Sequence, residues 1–248
     1  EAEGRETARL RWSRARVATD VGIDWTPRAR SSVRIENGQD QLKSIIGIGV
    51  LDERIDQDYG FIGLGTRFDS LDDDAFPSKG MLLDARVEFH QSWLGSESSS
   101  TIARLNFTSA TSFGRYIALG GIRASSARDD DVSLQGLNFL GGLGNLSGYS
   151  ERVLAGPQLF LGRALLMRRL GNPEQLFSLP AYLGVSVEAG NTWVRQGDFD
   201  LDDLIYAGSI YLGVSTPLGP IFLGYGRSDS DRQAVYLNFG SLIRTQRY

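Results

Sequence analysis

MLLDARVEF, the stretch from Met81 to Phe89, decides the fold, because from Leu83 onward apolar and charged residues alternate along it one by one. In an extended strand successive side chains point to opposite faces, so the apolar residues would lie on one face and the charged residues on the other. An α-helix would mix the two kinds around its surface. The same alternation recurs at residues 101–108 and 234–240. These stretches therefore predict β-strands with one apolar and one polar face.

Comparable stretches follow one another along the chain, separated by turns rich in Gly, Asp, Ser and Pro. They predict about twelve strands, most of them ~8–13 residues long, near residues 16–25, 31–36, 44–54, 59–70, 81–93, 100–112, 115–124, 156–167, 182–190, 206–216, 220–227 and 233–242. Strands of ordinary globular proteins average ~5–6 residues, whereas ~9–11 tilted residues cross a bilayer. The lengths favour an all-β fold, an antiparallel transmembrane β-barrel. A soluble antiparallel sandwich shows the same alternation and stays open as the alternative.

The composition of the 248 residues argues against several function classes. Cysteine is absent, so a disulfide framework and a thiolate metal site are excluded. The one histidine, His90, argues against a zinc site with two imidazoles and against a Ser–His hydrolase. With a net charge of −4 and no basic block, nucleic-acid binding has little support. The acidic runs at residues 69–76 and 128–132 lack the spaced ligands of a calcium loop, so no metal or other cofactor is predicted.

Two connections between the predicted strands are much longer than the others, at residues 125–155 and 191–205. Connections of this length in a compact fold usually serve the function. The first is apolar and rich in glycine, which is unusual for a loop in water. We therefore expect residues 125–155 to fold back against the rest of the molecule.

FLGGLGNLSGYSERVLAGPQLF, residues 139–160, resembles the loop-six region of the Omp85 superfamily of outer-membrane assembly and translocation barrels. The tip of that loop carries an Arg-Gly-Phe/Tyr motif, and Gly148 and Tyr149 stand at its last two positions. Further stretches resemble family motifs in the expected order, namely FPSKG (76–80), VEAGNTW (187–193), STPLGPIFLGYG (215–226) and AVYLNFG (234–240). The chain is identified on these motifs as a member of the superfamily, also called the bacterial surface antigen family.

The loop tip departs from the superfamily pattern, because Ser147 stands where Arg is expected. The form NLSGY resembles most closely the C-terminal translocator barrel of PlpD-like patatin-type Vd autotransporters. This resemblance implies an outer-membrane barrel that translocates or anchors an N-terminal patatin-like phospholipase and performs no catalysis itself. Residues 1–248 would form the barrel domain, with residues 1–10 a remnant of an upstream linker and residues 125–155 the plug. Because superfamily barrels have roughly sixteen strands, this chain would correspond to the C-terminal part.

The resemblance also implies a contact inside the barrel between the loop tip and a strand. In the superfamily the tip Arg meets a strand Asp, and here Ser147 and Glu188 occupy those two positions, with Gly190 in the strand motif. Arg152 is the candidate for the missing cation, Gly148 would allow a tight turn and Tyr149 would wedge against the wall. That Glu188 is one polar residue of the interior among many stays equally open.

The partners implied by the resemblance are outer-membrane lipids, the barrel assembly machinery through the last strand, and the chain's own passenger domain. The implied location is the bacterial outer membrane. A sheet of about twelve strands must close on itself or pair with another copy, because unpaired backbone groups are costly in lipid. A homodimer is therefore a further hypothesis. A diffusion porin, or a lipase embedded in the barrel that uses His90, stays open as an alternative function.

Overall fold

The computed structural model describes residues 8–47, 55–129, 134–170 and 179–242, and strands dominate it. The strands are β1 (Ala8–Thr26), β2 (Ala29–Gly47), β3 (Ile55–Asp69), β4 (Gly80–His90), β5 (Ser100–Phe113), β6 (Tyr116–Asp129), β7 (Asn138–Leu140), β8 (Leu154–Gly156), β9 (Gln158–Leu170), β10 (Ala181–Trp193), β11 (Ile205–Thr216), β12 (Gly219–Ser228) and β13 (Gln233–Phe239). Eleven of them form one antiparallel sheet in chain order, and β7 and β8 form a separate short hairpin. The predicted all-β antiparallel fold is confirmed.

The number of long strands is smaller than predicted, because residues 29–47 form one strand where we predicted two. The polar sequence ENGQDQ, residues 36–41, stays extended instead of turning. Two of its acids are buried and pair with arginines, Glu36 with Arg34 at 2.6 Å and Asp40 with Arg14 at 2.6 Å. These polar residues therefore belong to the inner face of a strand. Residues 48–54, the end of the second predicted strand, lie outside the described residues.

The two faces of the sheet differ as the alternation predicts. Asp84 and Glu88 of β4 lie on the inner face, 3.5 Å from Arg67 and 2.6 Å from Arg104 respectively. The outer face presents large exposed apolar side chains on nearly every strand, among them Val21, Ile35, Leu64, Phe89, Leu105, Ile122, Val187, Ile210, Leu223 and Leu237. An apolar band of this kind is typical of a barrel wall in lipid.

The two rims of the sheet carry connections of different length. β1–β2, β5–β6 and β11–β12 are joined by two residues each, at residues 27–28, 114–115 and 217–218. These three turns lie at one rim, since neighbouring strands run in opposite directions. The same rim also carries the longer connection at residues 70–79, and the opposite rim carries the connections at residues 91–99, 130–157 and 194–204. The two-residue turns at one rim resemble the short turns of outer-membrane barrels. Within the described ranges, we find no helix with the length and apolar character needed to traverse a bilayer.

The apolar core lies on the inner face of β5, β6 and β9–β13, between these strands and the connections that precede β4 and β9. One cluster joins Leu140 and Leu146 of the connection that precedes β9 to Leu159 and Leu161 of β9. A larger cluster includes Leu143, Tyr211, Phe222, Tyr236 and Phe76. No strand pairing joins β1 to β13 among the residues with described positions. Over these residues, the sheet wraps around the connection without a closing hydrogen-bonded pair.

Candidate functional site

The plug segment, which we define as residues 134–156, occupies the interior of the sheet. Every residue from Leu134 to Gly148 is buried or half-buried. The segment contacts both ends of the sheet: the Phe139 ring lies 6.2 Å from the Trp12 ring of β1, and the Gly148 amide donates to the Tyr236 hydroxyl of β13 at 2.7 Å. Residues 125–129, which we expected to start the plug, belong to β6 instead.

Glu188 of β10 is the centre of the contact between the plug tip and the wall. Its side chain is buried, and both carboxylate oxygens accept hydrogen bonds. Oε2 accepts from the Leu146 amide at 3.0 Å and from the Ser147 amide. Oε1 accepts from the Ser147 hydroxyl at 2.8 Å and from the Ser186 hydroxyl at 2.5 Å. Hydrogen bonds from the protein thus replace those that water would give to this buried carboxylate.

The backbone of the plug tip is shaped to present these donors. Leu146 has φ of 81°, in the left-handed region that costs a residue other than glycine free energy. This conformation directs two consecutive amides at one carboxylate oxygen, an arrangement that binds anions. The Ser147 hydroxyl also accepts from the Gly144 amide at 3.1 Å, which closes the turn.

Glycine is required at the tip and in the wall behind it. Gly148 has φ of 96°, and a Cβ there would lie 2.7 Å from Arg232 O and from Ser228 N. In the wall, a Cβ on Gly226 would lie 2.6 Å from the Ser147 Cβ. The inner face of β12 therefore has room for the plug tip only because residue 226 is a glycine.

The predicted site residues are not all brought together. Ser147 and Glu188 are in contact, and Tyr149 packs partly buried against the leucine cluster of the tip. A Cβ on Gly190 would lie 2.7 Å from Phe160 O, so this glycine serves the close approach of β10 to β9. Arg152 is exposed, and no ion pair with Glu188 is found among the described residues. The functional role of this set stays a prediction.

Two arginines of the wall contact the plug close to its tip, and sequence reasoning missed both. Arg163 of β9 donates to Gly144 O at 3.0 Å and to Leu242 O at 3.2 Å. Arg123 of β6 donates to Asn145 Oδ1 at 2.6 Å. The signal was present in the alternation, because both arginines occupy inner-face positions. Nothing in the sequence separates them from the other inner arginines.

The start of the plug segment has a second attachment, which the sequence did not indicate. The Gln135 side chain donates from Nε2 to Asp40 Oδ2 at 3.0 Å, and Arg104 donates to Gln135 O at 2.5 Å. Gln57 Oε1 accepts from the Leu134 amide at 2.8 Å. The plug is thus fixed to β2, β3 and β5 at its start and to β10 at its tip.

His90 lies in an apolar and acidic setting. It is buried, its ring centroid lies 5.0 Å from that of Phe61, and its Nε2 lies 3.7 Å from Glu88 Oε2. Ser100 is the cross-strand partner of His90, but its hydroxyl forms no hydrogen bond with any residue whose position is described. A nucleophile activated by His90 would require that hydrogen bond. Over the described parts of the chain, no cluster of three or more acidic, His or Cys residues is arranged to hold a metal ion.

Comparison with known proteins gives two kinds of similarity. Residues 3–242 match the family model described as the Omp85 superfamily domain. Among solved structures, the chain is similar to BamA from Haemophilus ducreyi lacking POTRA domains 1–3, with a TM-score of 0.76 and 13% identity over 92% of this chain and 54% of that chain. It is also similar to CdiB from Acinetobacter baumannii, with a TM-score of 0.62 and 14% identity over 91% of this chain and 41% of that chain. The chain thus spans about half of the first and two fifths of the second. No curated protein matches the sequence.

Proposed function

The chain belongs to the Omp85 superfamily, and we propose that it is a barrel of the bacterial outer membrane that translocates or anchors an N-terminal patatin-like phospholipase. The observation that carries the proposal is the plug tip held on Glu188 inside a sheet with an apolar outer face. The loop form NLSGY supports the patatin-type passenger, because Ser147 stands in place of the superfamily's Arg. Catalysis would belong to the passenger and not to this chain.

The plug contacts account for how such a barrel stays sealed while it holds a passenger. Without a guanidinium at position 147, the tip is retained by the Leu146 and Ser147 amides and the Ser147 hydroxyl, all of which donate to Glu188. The bonds are buried, so water does not compete for them. Release of the tip would leave a carboxylate in the interior without these donors, which is costly. The plug is therefore a stable part of a single barrel domain.

The outer surface indicates the partners of the proposed barrel. Val235, Leu237 and Phe239 of β13 are all exposed, and they would contact membrane lipids. One edge of β13 has no partner strand among the described residues, and its backbone groups would be offered to the barrel assembly machinery or to a second copy of the chain. A homodimer would satisfy the edges of two sheets at once.

A passenger-display experiment tests the proposed function. An epitope-tagged patatin-like domain is placed before residue 1, and its exposure on intact cells is measured with externally added protease. We expect the tag to be surface-accessible whenever the barrel is assembled, as reported by a different gel mobility before and after boiling. A correctly assembled barrel whose tag stays protected in the periplasm would overturn the translocator function.

A diffusion porin is the second candidate, and the arginines of the inner wall favour it. Arg14, Arg34 and Arg104 all face the interior on the β1–β5 side. Rings of such residues select anions in pores. In a planar bilayer the porin predicts steady anion conductance from the assembled chain, whereas the translocator with its plug in place predicts a closed channel.

A further inference from the structure

The outer face of the sheet carries a basic and aromatic patch at the rim of the two-residue turns. We call it the rim patch and define it by four exposed residues, Phe113 of β5, Arg115 of the β5–β6 turn, Tyr116 of β6 and Arg168 of β9. Tyr116 and Arg168 lie directly opposite each other on paired strands. On its other side Arg168 is opposite Leu183 of β10, an exposed apolar residue. A charged side chain on the outer face of a barrel costs least free energy near a rim, where lipid meets water.

The aromatic rings of the rim patch hold one guanidinium group in place. Phe113 and Tyr116 are stacked, with 5.7 Å between their ring centroids and an angle of 19° between the ring planes. The Arg168 Cζ atom lies 6.0 Å from the Tyr116 ring centroid, within the range of a cation–π contact. Such a contact orients a guanidinium group without using its N–H donors. Arg168 is therefore positioned to bind an anion on the outside of the sheet.

In the described parts of the chain, the strands around the rim patch offer no carboxylate to these arginines. β5 and β9 contain no acidic residue. The acid of β6 is Asp129, at the other end of that strand, and the acid of β10 is Glu188, which binds the plug tip inside the sheet. Neither Arg115 nor Arg168 forms an ion pair with a residue of described position. Among these residues, the positive charge of both arginines is thus not neutralised.

The acidic connection at residues 70–79 lies at the same rim, but its contacts are on the inside of the sheet. Its Phe76 is buried in the larger apolar cluster of the inner face. The carboxylates of Asp72 and Asp73 accept hydrogen bonds from amides of the connection itself. The backbone carbonyl of Asp74 accepts from the Ser241 hydroxyl, beyond the end of β13, at 2.8 Å. The connection therefore lies at the mouth of the sheet, whereas the rim patch is on the outer face.

Small residues continue the outer face of β6 from the rim patch toward the middle of the wall. Ala118 and Gly120 follow Tyr116 at alternate positions, and Ala164 of β9 lies opposite Gly120. A Cβ on Gly120 would meet nothing within 4 Å, so the surface there is open. We call Ala118, Gly120 and Ala164 the small-residue strip. Small side chains allow close approach, and packing of this kind is what holds a partner in lipid.

We propose that the rim patch binds the phosphate group of an anionic glycerophospholipid whose acyl chain lies along the small-residue strip. Arg115 and Arg168 would donate to the phosphate oxygens, because guanidinium groups match these oxygens in pairs. The Tyr116 ring, apolar with a polar hydroxyl, suits the boundary between headgroup and acyl chain. Short turns of outer-membrane barrels face the periplasm, so the lipid belongs to that leaflet. The inference rests on the proposed membrane barrel and is independent of a passenger.

Lipid binding to the full chain, extracted in an uncharged detergent, tests the proposal. The chain is titrated with phosphatidylglycerol or with phosphatidylcholine of the same acyl chains, and native mass spectrometry counts the bound lipids. We expect phosphatidylglycerol to bind about tenfold more tightly, because no choline competes with the arginines for its phosphate. Added salt should weaken this preference, since the attraction is electrostatic. The same samples are run unboiled and boiled on a gel, which reports barrel assembly separately.

The decisive variant combines Arg115→Gln with Arg168→Gln, and we expect it to bind the two lipids equally. Arg115→Gln alone changes only an exposed turn and should lose part of the preference, so it serves if the double variant assembles poorly. Gly120→Leu fills the small-residue strip without changing the charge and should weaken phosphatidylglycerol binding. The matched control is Arg227→Gln, which removes an exposed arginine near the opposite rim, paired with Asp231 at 2.9 Å. The preference should persist in that control.

Three results would overturn the assignment. The first is equal binding of the two lipids by a wild-type chain whose gel mobility shows an assembled barrel. The second is a preference for phosphatidylglycerol that stays unchanged in both arginine variants. The third is an equal loss of preference in Arg227→Gln, which would make the preference an effect of overall charge. A chain that stays dissolved without detergent and shows no gel shift would instead contradict the proposed membrane barrel, so the two failures are distinguishable.

Discussion

Glu188 shows how one side chain can hold a whole segment. Its carboxylate receives hydrogen bonds from two plug amides and from the hydroxyls of Ser147 and Ser186. The motif resemblance indicated the pairing of Ser147 with Glu188, but it did not indicate the amides. Because every residue other than proline has a backbone donor, the sequence does not show which amides bind a given carboxylate.

Replacing Glu188 with alanine removes the common acceptor of these donors. We expect the plug tip to lose on the order of 3 kcal/mol of stability, because several buried donors are left unpaired. Hydrogen–deuterium exchange of residues 141–149 in detergent measures the effect, and faster exchange is expected. Glu188→Gln keeps part of the acceptor capacity and should fall between the wild type and alanine. Unchanged exchange in Glu188→Ala would mean that the tip is held by other contacts.

Gly226 and Gly120 form a matched pair for testing the space behind the tip. A Cβ on Gly226 would lie 2.6 Å from the Ser147 Cβ, whereas nothing lies within 4 Å of the corresponding position on Gly120. We expect Gly226→Ala to cost about 1–3 kcal/mol through overpacking and Gly120→Ala to be neutral. The temperature at which the unboiled gel band converts to the boiled position reports the difference. Equal conversion temperatures would show that β12 can move away from the tip.

At the scale of elements, the alternation predicted most strands because each has one face in the interior and one outside. The exception is β2, where ENGQDQ lies at residues 36–41. This sequence has the composition of a turn. Its strand conformation depends on Arg14 and Arg34, whose pairing with Asp40 and Glu36 becomes visible only in three dimensions. The attachment of Gln135 to Asp40 was hidden for the same reason.

The connection between β3 and β4 depends on Asp72, which accepts hydrogen bonds from the Ser78 amide at 2.8 Å and the Lys79 amide at 3.1 Å. Burial raises the pKa of Asp72, but the hydrogen bonds from Ser78 and from these amides outweigh it and hold the pKa below its usual value of 3.8. A carboxyl whose pKa is lowered by folding stabilises the fold above its unfolded pKa. This contribution is therefore present near neutral pH and is lost as the pH falls below about 4.

We expect the protection of residues 70–79 against hydrogen exchange, corrected for the pH dependence of the intrinsic exchange rate, to fall as the pH drops below about 4 and Asp72 becomes protonated. Asp72→Asn should show weaker protection already at pH 6 and little further loss of protection on acidification. Asp74→Asn is the control, because Asp74 lies in the same connection and accepts none of these amide hydrogen bonds. Identical pH profiles for the wild type and Asp72→Asn would contradict this role.

At the scale of the whole molecule, the described part of the sheet has eleven strands, and its interior contains an apolar part and an arginine-lined part. The apolar part lies where β5, β6 and β9–β13 pack with the plug, and most of the arginines that line the other part belong to β1–β6. The sequence predicted the polar inner face but not this division. Alternation indicates which residues face inward. It does not indicate whether an inward residue contacts the plug or lies in the arginine-lined part, because that depends on how the sheet wraps.

Gel mobility tests the molecule as a whole. We expect the detergent-extracted chain to migrate differently before and after boiling, because a hydrogen-bonded barrel resists dodecyl sulfate until heated. The unpaired edges of β1 and β13 are costly in lipid, so the unboiled species should be either a closed monomer or a dimer, distinguished by its apparent size. A chain that stays dissolved without detergent and shows no shift would contradict the membrane barrel.

The tip's reliance on backbone donors has a consequence for how this family diverges. Positions 146 and 147 contribute amide hydrogens to Glu188, and nineteen of the twenty common amino acids supply one. The amino acids at these positions can therefore change between lineages, and even a signature arginine can be lost, while the hydrogen bonds from the plug tip to Glu188 persist. Proline is the exception, so its introduction at either position should be purged by selection. In distant members the side-chain signature will then be lost while the architecture is still conserved, so a search for the signature will miss them.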